Sequence, residues 1–294
     1  MRRRLWIAAS AVGVSMACTR GTGPTPAAAV TSTTAAGPDA ASASPSEQTP
    51  TCKDEPAMVY IPGGETGYDV VGKREPKVEV KPFWLDKYEV TVEQFRECVD
   101  AGACTPPYRS TSGYTDAARN ALVCTWEIDD VPNLPINCVD GDHHDAFCAW
   151  QGKRSPVAYE WTWAAQGRDQ KRKFPWGDAP VTCELAITDQ DLEDDVRGCG
   201  LGRPWPVGSR LEDRTRDGVM DMQGNVAEKT ITPFRPDRRF GDLRDAYGNS
   251  WRTAAGLRYG VTSGHPSARE NFSDNSGFRC AKDPGPLPPC TSAD

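Results

Sequence analysis

The sequence predicts an α+β domain with little regular secondary structure, stapled by disulfides and carried behind an export signal and a flexible tether. Three observations predict it. Hydrophobic residues make up 38% of 294 and include 9 Trp, 8 Tyr and 8 Phe, so the core is built around large rings, which argues against a coiled coil or a helical bundle. The 27 Gly and 25 Pro cut the chain into short segments joined by turns. Eleven cysteines lie in a chain whose first residues read as an export signal, which makes disulfides the default state of those thiols.

The elements follow in order. Met1-Arg-Arg-Arg4 precedes the apolar run Leu5 to Ala17, too short to span a bilayer as a folded helix, so residues 1–17 form a signal peptide. The run ends Ser15-Met16-Ala17-Cys18, similar to bacterial lipoprotein signals in which cleavage precedes an acylated cysteine. Cys18 is the expected lipidation site, and the alternative is ordinary cleavage after Ala17. Residues 18–50 are mostly Ala, Thr, Ser, Pro and Gly, a composition that buries too little apolar surface to order itself. They form a lipid-anchored linker, and the domain proper spans 52–290. Export implies the outer membrane, periplasm or cell surface, with the membrane as a partner through the anchor. Removing 1–17 leaves 31 basic and 41 acidic residues, a net charge of −10 that works against a nucleic-acid partner.

Within the domain, Met58 to Gly64 reads as a strand entering a turn, and Val78 to Asp86 alternates as a strand. Thr91 caps a helix through Glu93, Phe95 and Cys98. A second helix is expected over Asp145 to Gln151 and a third over Ala158 to Gln166, anchored by Trp161 and Trp163. Beyond Gly167, loops pinned by bridges are expected. Local bridges are geometrically easy for Cys98 with Cys104, Cys183 with Cys199 and Cys124 with Cys138, while Cys52 and Cys290 flank the domain and are in position to tie its ends. Zinc competes poorly, because Cys-x-x-Cys is absent and the only imidazoles are His143, His144 and His265.

Six segments occur in an order that resembles the formylglycine-generating enzyme family, also called sulfatase-modifying factors. They are Met58-Val-Tyr-Ile-Pro-Gly-Gly64, Tyr88-Glu-Val-Thr-Val92, Cys148-Ala-Trp-Gln-Gly-Lys-Arg154, Phe174-Pro-Trp-Gly177, Asp221-Met-Gln-Gly-Asn-Val226 and Ser276-Gly-Phe-Arg-Cys280. The resemblance implies a variant of the C-type-lectin-like fold. It also implies oxidation of a substrate cysteine by copper(I) held between two thiolates, placed just after a turn that here reads Gly248-Asn-Ser250-Trp251. In register, Thr253 and Arg258 stand where those thiolates belong. Neither supplies a soft sulfur donor, so no copper is expected.

The resemblance implies three further features. Cys148 and Cys280 match positions joined by a disulfide, whereas Ala165 and Ser263 replace both ends of a second family bridge. Asp221, the carbonyls of Gly224 and Val226, and Glu228 match a structural calcium site of hard oxygen donors. Ser250 and Trp251 mark the binding cleft, and the family's Gly-Asn-Val-Trp-Glu-Trp appears as Gly224-Asn-Val-Ala-Glu-Lys229, without its tryptophans. The run Asp189 to Asp195 reads as a solvated acidic loop, because Asp194 stands where an EF-hand needs Gly. His143 and His144 take surface or packing roles, and Ser155, Ser250 and Ser263 pair with no convincing base. Two function classes remain. One is a non-catalytic module binding a protein, peptide or glycan. The other is an oxidoreductase with chemistry that does not use the two cysteines, as in the superfamily's iron-dependent sulfoxide synthases.

Overall fold

Of the 294 residues, the computed structural model describes 57–67, 69–70, 73–74, 77–108, 123–189, 197–232, 243–254 and 260–285. The signal peptide, Cys18, the linker, Arg258, most of the Asp189–Asp195 run and the Cys52–Cys290 pairing lie outside the described residues.

Strand β1 (Met58–Ile61) opens the domain, followed by β2 (Gly64–Thr66) and the short pair β3 (Asp69–Val70) and β4 (Lys73–Arg74). The alternating run expected as one strand over Val78 to Asp86 is two, β5 (Val78–Val80) and β6 (Phe83–Asp86). The reason is Pro82, which has no N–H to give to a ladder. Strand β5 pairs with β2, whereas β6 pairs with β1, Met58 facing Asp86.

Helix α1 (Val92–Asp100) starts at Thr91, whose hydroxyl accepts from Gln94 N while the Gln94 side chain accepts from Thr91 N, satisfying two end donors reciprocally. Helix α2 (Gly141–Trp150) begins four residues before the expected Asp145, because the Asp140 carboxylate caps the amides of Asp142 and His143. Helix α3 (Ala158–Ala165) buries Trp161 and Trp163. All three helices of the sequence reading are therefore present.

Among the described residues of 167–226 loops do dominate, as expected. Past them, however, a four-stranded sheet forms in the order β10-β7-β8-β9 from β7 (Ala227–Ile231), β8 (Leu243–Tyr247), β9 (His265–Ala268) and β10 (Ser276–Gly277). A final strand, β11 (Ala281–Lys282), lies on the free side of β6.

The core has two main clusters. One gathers Ile61, Phe83, Leu85, Met222 and Tyr247 around Trp161. The other centres on Phe95, with Phe147 stacked at 5.7 Å and Phe278 edge-on at 6.4 Å between ring centroids, offset and T-shaped arrangements that suit the ring quadrupoles. Disulfides join Cys98–Cys104, Cys124–Cys138, Cys183–Cys199 and Cys148–Cys280. The last closes a loop of 132 residues and fastens α2 to the chain just before β11. Among the described residues no helix is long and apolar enough to cross a membrane.

Candidate functional site

Successive side chains on a strand point to opposite faces, and on β7 this puts opposite charges in different places. Glu228 turns to the core. Its Oε2 accepts from Trp161 Nε1 and Arg279 Nε, both at 2.6 Å, and its Oε1 accepts from Arg279 Nη2 at 2.6 Å. Arg279 is fully buried and spends its remaining N–H groups on the carbonyls of Asp86, Lys87 and Met220. A bidentate guanidinium–carboxylate pair with every donor satisfied is a geometry in which a buried ion pair can persist.

The turn leading into β7 is tightly wound. Asp221, Gly224 and Asn225 have φ of 58°, 88° and 53°, and a Cβ at Gly224 would come within 2.5 Å of the Ile187 carbonyl, so glycine is required there. Gly208 N donates to Asp221 Oδ2 at 2.5 Å, Gln223 N to Asp213 Oδ2 at 3.1 Å, and Val226 N and Asn225 Nδ2 to the two oxygens of Glu89 at 3.0 and 2.7 Å. Four buried carboxylates, Glu89, Asp213, Asp221 and Glu228, thus share one guanidinium.

The surplus negative charge shows in their acidities. Burial, followed by the charges of Asp221 and Glu228, pushes Glu89 well above the usual carboxylate range. Burial and then Asp221 do the same to Asp213. Burial lifts Asp221 to about 6, against the Gly208 amide and Arg279. Asp213 Oδ1 and Gln223 Oε1 are buried without a partner among the described residues, which is costly unless something positive reaches them. No three acidic, His or Cys side chains among the described residues converge tightly enough to hold an ion by themselves, so a cation here depends on main-chain carbonyls as well. Glu228 keeps unused lone-pair capacity after its three bonds, and the four implied residues suit a hard cation.

The opposite face of the sheet forms a cleft of about 540 Å³. Lys229 is paired with Ala246, Ala246 with His265, and Ala227 with Ser276, and all five line it. The turn after β8 supplies Ser250, Arg252 and Thr253, and the segment before β10 supplies Asn271 and Phe272. Ser250 Oγ lies 3.2 Å from Thr253 Oγ1, and Arg252 pairs with Asp274 at 2.6 Å. Lys229 is 2% exposed and donates to the Asn271 carbonyl. Burial, with Asp140 opposing and Arg244 assisting, brings its ammonium down to about 8.

A domain of short strands and long bridged loops, with an Asp221–Glu228 turn beneath one sheet and a cleft above it, can be placed among known proteins. The family profile described as the sulfatase-modifying factor enzyme 1-like domain matches residues 43–284. The chain belongs to this family. Inactive C-alpha-formylglycine-generating enzyme 2 of Mus musculus is 29% identical over 276 residues, 79% of this chain and 87% of that protein. Hercynine oxygenase of Mycolicibacterium smegmatis is 29% identical over 272 residues, 76% of this chain but 61% of the relative, so the chain spans about three fifths of that protein. The solved structure of PvdO from Pseudomonas aeruginosa is 24% identical with a TM-score of 0.57, covering 79% of this chain and 96% of that one. The architecture is that of the formylglycine-generating enzyme family.

Within this sulfatase-modifying-factor domain the expected site residues part company. Asp221, Gly224 and Val226 lie in the turn that leads into Glu228 on β7, and Cys148 with Cys280, Cys98 with Cys104 and Cys183 with Cys199 are bonded. Ser250 and Thr253 face the cleft. Trp251 does not. It is 1% exposed, packs with Ile187 and Val226, and donates from Nε1 to the Asp274 carbonyl at 3.0 Å. The expectation that it lines the cleft is therefore corrected: Ser250 and Thr253 border the cleft, although Ser250 is itself buried, and the intervening ring packs against Ile187 and Val226.

His143 packs against Tyr108 and Phe95, with Nδ1 2.7 Å from Asp140 Oδ1. His144 is fully buried and stacks on Phe278 at 4.2 Å. Both serve packing, one of the two roles expected of them. Sequence reasoning missed Glu89, Asp213 and Lys229 as site residues. The signal for Glu89 was its place inside the Tyr88–Val92 segment, and for Lys229 its substitution of a family tryptophan.

Proposed function

We propose that this chain is a non-catalytic member of its family, a module displayed on the cell envelope that binds a protein, peptide or glycan in the cleft over β7, β8 and β9. One observation carries the reading. The cleft presents hydroxyls and an ammonium where the family's oxidation needs two thiolates, Thr253 standing at one of those positions, and the eight cysteines among the described residues are tied in four disulfides. Only a thiolate binds copper(I) in the required way. The mouse relative, whose name describes it as inactive, supports this reading. Likeness to a hercynine oxygenase favours the second one, an oxidoreductase with altered chemistry.

The test is to incubate the purified mature domain with copper(I), O2 and a cysteinyl peptide and to follow the peptide by mass spectrometry. No aldehyde is expected. Stoichiometric copper together with aldehyde formation would overturn the proposal. For the cleft itself, capture from an envelope extract is compared between the wild-type domain and Ala227→Trp. That substitution restores a family residue and fills the cleft, and binding should be lost.

Calcium belongs to the same proposal as a structural ion held by Asp221, the carbonyls of Gly224 and Val226, and Glu228. It would offset the surplus of buried carboxylates and fix the turn that positions β7. The membrane anchor is assigned to Cys18, acylated and spaced from the domain by residues 18–50. Mass analysis of the N-terminal peptide, with the acyl chain on Cys18 expected, tests it.

A further inference from the structure

The cleft contains two polar groups that its own walls do not satisfy. Lys229 is almost wholly buried on the cleft floor. Its ammonium has three N–H donors, yet its one hydrogen-bond partner among the described residues is the Asn271 carbonyl, and no described carboxylate forms an ion pair with it. Ser276, whose strand position pairs with Ala227 beside Lys229, is 5% exposed, and its Oγ has no partner among the described residues. Of the acids whose charge acts on it, Asp140 is engaged with Tyr108 and His143. Glu270 is exposed. A buried ammonium with one neutral acceptor is costly, and the charges of Asp140 and Glu270 offset only part of that cost without pairing with it.

Small residues flank this buried charge on the cleft side. Ala227, two residues earlier on the same face, and Ala246, directly across the strand pair, are both small. Bulky side chains at either position would cover the Nζ. The chain thus combines one substitution that introduces a positive charge with another, at 227, that uncovers it.

We propose that Lys229 and Ser276 form an oxyanion site, where a carboxylate or phosphate group of the cleft's ligand accepts from the Lys229 ammonium and the Ser276 hydroxyl. The inference rests on the reading of the cleft as a ligand site and names the chemical class it selects. Lysine is a point charge that suits either oxyanion, and a neighbouring hydroxyl adds direction.

The test uses small probes in place of the natural ligand. In the full domain carrying 13C-lysine, the Lys229 Cε–Hε signal, assigned by its loss in Lys229→Met, is followed at pH 7 against acetate, phosphate, acetamide and chloride at constant ionic strength. Acetate or phosphate should shift it saturably, identifying which oxyanion is preferred, while acetamide and chloride leave it in place. Ser276→Ala should weaken the effective anion about threefold and Ala227→Trp should abolish its effect. No response to either oxyanion, or an equal response to acetamide or chloride, would overturn the proposal. If Lys229→Met does not fold, Lys229→Arg, which keeps the charge, supplies the assignment by the same loss of signal, and the Ser276→Ala and Ala227→Trp titrations then decide. Anion titration and envelope capture are independent, so capture that survives in Lys229→Met but fails in Ala227→Trp would remove the oxyanion site and leave the cleft reading intact.

Discussion

The two faces of the β7–β8 pair differ in how they treat a buried charge. On the core face Glu228 meets Arg279 and Trp161, and Tyr247, its partner across the strands, stacks on Trp161 at 5.5 Å. One residue on, Lys229 faces the cleft with a single carbonyl for company. The closed face cannot lose a partner without leaving an ion stranded, whereas the open face can exchange residues at little cost to the core. Period-two alternation lets one strand serve both ends, because a change at 227 or 229 never enters the packing of 228. The family's missing tryptophans fall at 227 and 229, on the open face.

The strongest way to break this contrast is Glu228→Gln, which strands Arg279 and should cost about 3–5 kcal/mol in denaturant unfolding. Lys229→Met, one residue away, should be neutral or stabilising. Equal losses from both would refute the distinction. Next comes the brace within the Phe95 cluster. Cys148→Ser with Cys280→Ser releases a loop of 132 residues and should lower stability by roughly 2–5 kcal/mol, leaving oxyanion titration at Lys229 unchanged if the cleft is locally built.

Calcium sharpens the comparison further. At a hundredfold excess over its Kd it should stabilise the domain by about 2.7 kcal/mol. Chelation should reverse the gain and Asp221→Ala should remove it, while cleft variants should retain it. Calorimetry that shows no calcium dependence in the wild type would sink the assignment.

The smallest effect concerns His144, beneath the cleft. Burial, followed by the charges of Lys229 and Arg244, holds its pKa well below the usual 6.5. The native state refuses a proton that the unfolded chain accepts below pH 6.5, so this group contributes stability at neutral pH that is lost on acidification. Both ring nitrogens lack a partner among the described residues, so His144→Phe should preserve the stack on Phe278. The variant should also gain about 1.4 kcal/mol on the wild type between pH 7.5 and 5.5, read as the difference between two unfolding series so that the carboxylate titrations cancel. A parallel pH dependence in both proteins would refute it.

Much of this architecture was legible in the chain. Thr91 announces α1 through its cap, Trp161 and Trp163 mark α3, and the close-spaced cysteine pairs are where short loops allow them. The central sheet was not. Strands reading Ala-Glu-Lys-Thr-Ile and Leu-Arg-Asp-Ala-Tyr carry charges where hydrophobic alternation is the usual signal. Those charges are tolerated because their partners come from far along the chain, Arg279 lying 51 residues beyond Glu228. Asp213 and Glu89 were hidden for the same reason, and Trp251 was misplaced because sequence order cannot say which way a turn directs its ring.

Strands β1 and β11 both lie against β6, one on each side and both antiparallel to it, so they run parallel to each other, and the first residue of β1 and the last of β11 point toward opposite ends of the three strands. A load applied at those two points would therefore shear the three strands along their length, where their ladder hydrogen bonds resist together.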